Sequence, residues 1–161
     1  MIESETVVHE SNLVIATCGS IVACAVDGLT LVPQMDTMAK ALKAAARANP
    51  DGVAFVFVVR QSSSLPTPDV RARFAATLAA LQGEVRMLAA IIEGTGFGAS
   101  AKRSVFTMVI SHIIGKITLK VFADPPGAAA WIAAEATRRQ LKVPTESVIS
   151  RFVATLPATI A

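Results

Sequence analysis

Val53-Ala54-Phe55-Val56-Phe57-Val58-Val59 is an unbroken apolar run, most of it β-branched or aromatic. Turn-forming residues bound it, Asn49-Pro50-Asp51-Gly52 before and Arg60-Gln61-Ser62-Ser63-Ser64 after. A short run without polar alternation has no face to give to solvent. It predicts a strand buried on both sides, at the centre of a parallel sheet covered by helices.

Upstream, the spacing predicts a helix from about Val32 to Ala48, with Pro33 in its first turn and Asp36 favouring its positive end. Met35, Met38, Ala39, Leu42, Ala45 and Ala46 recur at helical intervals as its buried face, and Lys40, Lys43 and Arg47 form its solvated face. Before it, Leu13 to Cys18 and Ile21 to Val26 read as two strands joined by Gly19-Ser20, a two-residue turn opening on glycine. That register sets Cys18 opposite Ile21 and Cys24 opposite Ile15. The cysteines then neither pair nor share a metal, and read as small buried apolar residues. Residues 1–10 read as an N-terminal lead-in.

Downstream, Thr67 is suited to cap a second helix, about Pro68 to Gln82, that buries Val70, Phe74, Leu78 and Leu81 and stops at Gly83. Val85 to Ile92 is a further buried strand. A glycine-rich turn, Glu93-Gly94-Thr95-Gly96-Phe97-Gly98, leads to a third helix from about Ala99 to Ile114 that is apolar over more than one face. Lys116 to Phe122 alternates as an edge strand, which accounts for its lysines. Asp124-Pro125-Pro126 begins a last helix, about Pro125 to Leu141, packing through Ala129, Trp131, Ile132 and Ala136. Residues 142–161 lack strong periodicity and read as a C-terminal tail, with Val148-Ile149 and Phe152-Val153 as its docking candidates.

The predicted order is β-β-α-β-α-β-α-β-α, one α/β domain over residues 11–141. Its sheet is mixed and mostly parallel, opened by a β-hairpin whose first strand is antiparallel at or near an edge. At 161 residues such a domain buries a real core. The excess of 15 Lys and Arg over 12 Asp and Glu is small, like charges form no block, and one Trp and no Tyr are available to stack on bases, so nucleic-acid binding is not expected. The acidic start, Met1-Ile2-Glu3-Ser4-Glu5, lacks the features of a signal peptide. No charge-free apolar stretch of about 18 residues predicts a membrane span. Two cysteines suit a reduced, cytoplasmic setting.

This order resembles the STAS-like fold of anti-sigma-factor antagonists and, more closely, uncharacterised bacterial proteins of that superfamily. The residues in common are Gly28 closing the hairpin, Val53–Val59, the polar loop before Pro66, Glu93-Gly94-Thr95-Gly96-Phe97 before a helix, and Val121-Phe122-Ala123-Asp124-Pro125 followed by Ala129-Ala130-Trp131-Ile132. The resemblance spans about residues 11–135. It implies a regulatory module with a phosphorylatable serine in an Asp-Ser-Ser-Gly type turn after the central strand. Ser62, Ser63 and Ser64 occupy that region as the candidates, without the acidic residue and the glycine of the pattern.

Two other stretches carry candidate chemistry. Gly94-x-Gly96-x-x-Ala99 matches a permissive dinucleotide fingerprint. With Gly98, Lys102 and Arg103 it is a candidate anion site at a helix start. It follows a late strand, however, and Asp124, 25 positions past Ala99, is too far to serve as the ribose-binding acid. A tight turn packing a helix on the sheet is the simpler reading. Phe106, Val109, Ile110 and Ile113 form the candidate interface on the third helix, for a partner or lipid, with a core role as the simpler alternative. His9 and His112 have no partner by spacing. The carboxylates are scattered over turns and helix ends without an acid/base pair. Neither a catalytic residue, a metal site nor a cofactor is expected.

The expected function is a non-catalytic regulatory or protein-interaction module of STAS-like type, with a protein partner or a homodimer. The alternative is a small-molecule, nucleotide or lipid-binding protein that holds an anionic ligand at the Gly94–Arg103 turn or against the third helix. An enzyme ranks third.

Overall fold

The computed structural model describes residues 3–111 and 117–158, with the side chains of 109–111 outside the described set. Six strands form one sheet in the order β1-β2-β3-β4-β5-β6. They are β1 (Ser4–Glu10), β2 (Leu13–Cys18), β3 (Ile21–Val26), β4 (Val53–Val59), β5 (Val85–Ile92) and β6 (Thr118–Phe122). The helices are α1 (Val32–Ala48), α2 (Pro68–Ala80), α3 (Phe97–Ser111), α4 (Pro125–Arg138) and α5 (Glu146–Ala154). Strands β1, β2 and β3 are antiparallel, and β3 through β6 are parallel. The mixed sheet expected from the sequence is present.

Every residue of β3 and β4 is buried, because these two central strands lie between helices on both faces. Alternate side chains feed two cores. On one face, Phe55 and Phe57 of β4 and Leu88 of β5 pack with Met35, Met38 and Leu42 of α1, Phe74 and Leu78 of α2, and Phe106 of α3. Crossovers of one hand stepping in one direction across the sheet must put α1, α2 and α3 on one side. The Phe57 ring lies 4.9 Å from Phe74 and 5.8 Å from Phe106, centroid to centroid. The opposite face is built from small residues: Ala16, Ala23, Ala25, Ala54 and Ala89 meet Ala128, Ala129 and Ala136 of α4. The short side chains let that helix lie close to the strands. Cys18 and Cys24 fall in different cores, in the expected register opposite Ile21 and Ile15.

Two segments differ from expectation. Residues 4–10 are an edge strand and not a lead-in: β1 pairs with β2 through the turn Ser11-Asn12, where Asn12 adopts φ 65°. Asparagine tolerates that left-handed conformation better than most residues. The strand has no clear apolar alternation because it is exposed nearly throughout, with only Val8 packing on the core. Residues 142–158 are more than a tail. Ile149, Phe152 and Val153 of α5, with Leu156 beyond it, complete the alanine-rich core beside α4. The docking candidates at 148–149 and 152–153 are therefore the ones used.

Local chemistry departs from expectation at two helix starts. Asp36 lies past the first turn of α1 and pairs with Arg73 of α2 at 2.5 Å. Instead, Gln34 accepts from the Leu31 amide at 2.7 Å and donates to Ser11 O at 2.9 Å, tying α1 to the β1–β2 turn. Thr67 holds the cap position of α2, but its hydroxyl donates to the Asp69 carboxylate. That hydrogen bond lowers the pKa of Asp69. Among the described residues no helix is long and apolar enough to cross a membrane.

Candidate functional site

Parallel pairing sets Val26, Val59 and Ile92 side by side at the carboxyl ends of β3, β4 and β5. Each is followed by a charged residue: Asp27, Arg60 and Glu93. The ladder continues one step past the strands, with the Arg60 amide donating to Val26 O and the Glu93 amide to Val59 O, both at 3.0 Å. The three side chains thus stand in a row of alternating sign at the sheet end. Carboxyl ends of parallel strands are where loops converge in open α/β folds.

Within this row Arg60 Nη1 donates to Glu93 Oε1 at 3.1 Å. Asp27 binds the neighbouring turn and loop. Its Oδ1 accepts from the Gly28 amide at 2.8 Å and from the Ser62 hydroxyl. An open recess of about 410 Å³ lies over the row, bordered by Gln61, Ser62, Leu156 and Ala158. His9 of β1 reaches the same border, with Nε2 donating to Ala158 O at 2.9 Å.

The three candidate serines separate cleanly. Ser62 is exposed and paired with Asp27. Ser63 is buried, its hydroxyl donating to Val26 O at 2.9 Å. Ser64 is exposed, and its amide donates to Gly28 O at 2.8 Å. The carboxylate that meets Ser62 comes from a different strand end, at Asp27. No sequence-level signal joined those two positions.

The glycine-rich turn takes the backbone its composition suggests, with Gly94 at φ 94° and Gly96 at φ 86°. A Cβ on Gly94 would meet Gln61 Cγ at 3.0 Å, whereas Gly96 and Gly98 face open space. Lys102 and Arg103 are directed at backbone carbonyls. Lys102 Nζ donates to Gln61 O at 2.8 Å, and Arg103 Nη2 to Ile92 O and Gly94 O at 3.4 Å each. They staple α3 to the ends of β4 and β5. Of the candidate interface residues, Phe106 is buried against Phe57 and Phe74, so it belongs to the core. Ile113 and His112 lie outside the described residues, as do the side chains of Val109 and Ile110.

The large apolar groups left exposed were not singled out by sequence. Phe97 is 91% exposed, and Leu29, Leu31 and Leu65 are each about half exposed. All four lie on or beside the segments that leave the carboxyl ends of β3, β4 and β5. A patch of this kind is legible only once burial has removed the other apolar residues from consideration.

No family model and no curated protein matches the chain. Among solved structures it is similar to the crystal structure of an anti-sigma factor antagonist from Mycobacterium paratuberculosis, at 12% identity and a TM-score of 0.47, over 81% of this chain and 94% of that one.

Proposed function

We propose that this chain is a non-catalytic regulatory module of STAS-like type that acts by protein–protein contact through the carboxyl end of its sheet, with Ser62 as the switch residue. The carrying observation is the distribution of exposed apolar groups. Of the six large ones among the described residues, Leu29, Leu31, Leu65 and Phe97 belong to this end, around the Asp27–Arg60–Glu93 row. Apolar anchors beside a polar, partly charged rim are the composition of a recognition surface.

Phosphorylation of Ser62 would add a dianionic group beside the Asp27 carboxylate. Repulsion from Asp27 and attraction to Arg60 both act to move the 61–65 loop, which carries Leu65. The surface would thus be altered by one local charge.

Partner capture on the immobilised chain tests the reading. A polypeptide retained by the wild type is expected to be lost with Leu65→Asp/Phe97→Asp, weakened with Ser62→Asp, and retained with Lys43→Glu on the solvated face of α1. Retention by the Leu65→Asp/Phe97→Asp variant at wild-type level would sink the proposal. Sedimentation at two protein concentrations identifies a second copy of the chain as the partner if the mass rises with concentration.

A further inference from the structure

The core on the phenylalanine face is not filled to its end. A cavity of about 60 Å³ lies among Met35, Phe57, Val70, Phe74, Ile92 and Phe106. One water needs about 10–15 Å³ on the same measure. The space therefore takes roughly four to six water-sized spheres, which is the bulk of a short hydrocarbon chain and far less than a nucleotide. Its walls offer water almost no hydrogen-bond partners.

Its lining also includes the polar residues Thr30, Ser63, Ser64, Arg71 and Lys102. Arg71 Nη1 donates to Pro66 O at 3.1 Å and Lys102 Nζ to Gln61 O at 2.8 Å. Each cation keeps further donors. Among the described residues neither forms an ion pair; the pairs present engage Arg60, Arg73, Arg138 and Arg139. Two cations without counter-ions among the described residues, both lining an apolar cavity, match a ligand with one anionic head and one short tail.

We propose that this cavity binds a small aliphatic carboxylate of about the size of hexanoate. The tail lies among Phe57, Phe74 and Phe106, and the carboxylate meets Arg71 and Lys102. Binding is noncovalent. The inference does not depend on the protein-contact surface. The two sites share the serine loop, since Ser63 and Ser64 line the cavity while Leu65 lies on the surface.

The test is a titration of the ¹⁵N-labelled full chain with hexanoate and, separately, with 1-hexanol, followed by amide shifts. Hexanoate is expected to perturb amides around Met35, Phe57, Phe74 and Phe106 and to bind about tenfold tighter than the alcohol. Arg71→Gln/Lys102→Gln is expected to erase that preference while leaving the alcohol's binding in place. Val105→Trp, which puts an indole at a lining position, is expected to exclude both probes. Absence of cavity shifts at about 10 mM hexanoate would overturn the proposal. So would equal binding of acid and alcohol to the wild type, or undiminished hexanoate binding by the double variant. If Val105→Trp loses amide dispersion and is unfolded, the double variant decides.

Discussion

The hydroxyl of Ser62 donates to the carboxylate of Asp27, joining the loop after β4 to the end of β3 across 35 positions of sequence. The same oxygen accepts the Gly28 amide, so one carboxylate fixes both a turn and the neighbouring loop.

Removing the hydroxyl tests how firmly the loop is held. Ser62→Ala is expected to cost about 0.5–1 kcal/mol, small because the group is exposed, and Asp27→Ala about 1–2 kcal/mol because two donors lose their acceptor. In a double-mutant cycle by urea denaturation the pair should couple by about 0.5–1 kcal/mol. Ser62→Asp should destabilise more than Ser62→Ala, and an Asp27→Asn background should relieve the difference. Equal effects in the two backgrounds would show that repulsion from Asp27 is not what the new charge meets.

Phe106 and Phe97 sit on one helix and have opposite fates. Phe106 packs on Phe57 and Phe74 and is nearly buried, whereas Phe97 is 91% exposed. Phe106→Ala is expected to cost about 3–4 kcal/mol. Phe97→Ala should stay within about 0.5 kcal/mol of wild type while weakening partner binding. A small stability loss for Phe106→Ala would return that residue to the surface role its helix suggested.

The sheet from β2 onward was legible because each buried strand is a short apolar run between turn residues, and Val32–Ala48 and Val85–Ile92 match their expected bounds. Strand β1 was not, since an exposed edge strand needs no apolar pattern and its pairing lies in backbone bonds. The charged row was half legible: Val26-Asp27, Val59-Arg60 and Ile92-Glu93 each place a charge after an apolar run. Only the parallel register aligns them. Helix α5 was hidden because its buried residues are few, yet they close one core. Phe152→Ala, opening a cavity against the small residues of that face, is expected to cost about 3–5 kcal/mol in urea denaturation, and a loss under about 1 kcal/mol would make α5 an ornament of the fold.

Gly52 makes the turn into the central strand at φ 109°, where a Cβ would fall 2.4 Å from Arg86 Cγ and 3.0 Å from Glu84 O. Gly52→Ala carries both backbone strain and displacement of the Arg86 side chain, which donates to Asp51 O at 3.0 Å. The expected loss is about 2–3 kcal/mol. Gly83, without a positive φ and with nothing within 4 Å of an added Cβ, is the control. Gly83→Ala should be neutral or stabilise by up to about 1 kcal/mol. Similar losses at both positions would mean that chain flexibility, and not the Gly52 geometry, sets the cost.

Cys24 is fully buried between β2 and β4, and burial pushes its thiol far above the ordinary value of 9.0; Cys18 is also raised by burial. A thiol of raised folded pKa stays protonated in the native state while the unfolded chain ionises. Stability is therefore fully present below about pH 9 and falls as pH rises toward the folded value, by up to about 1.4 kcal/mol per pH unit for each thiol. Urea denaturation between about pH 8 and about pH 10.5 should show that slope. Cys24→Ala, though less stable at pH 8 by about 1 kcal/mol for the lost sulfur, should flatten it. The Cys18→Ala/Cys24→Ala chain should lose the thiol contribution altogether. A thiol reagent at pH 8 should label Cys24 of the wild type only in urea, because its side chain is fully buried while the sheet is intact. A slope unchanged by both substitutions would show that the thiols do not set the alkaline instability, and labelling of Cys24 in native protein would show that the strands around it open without unfolding.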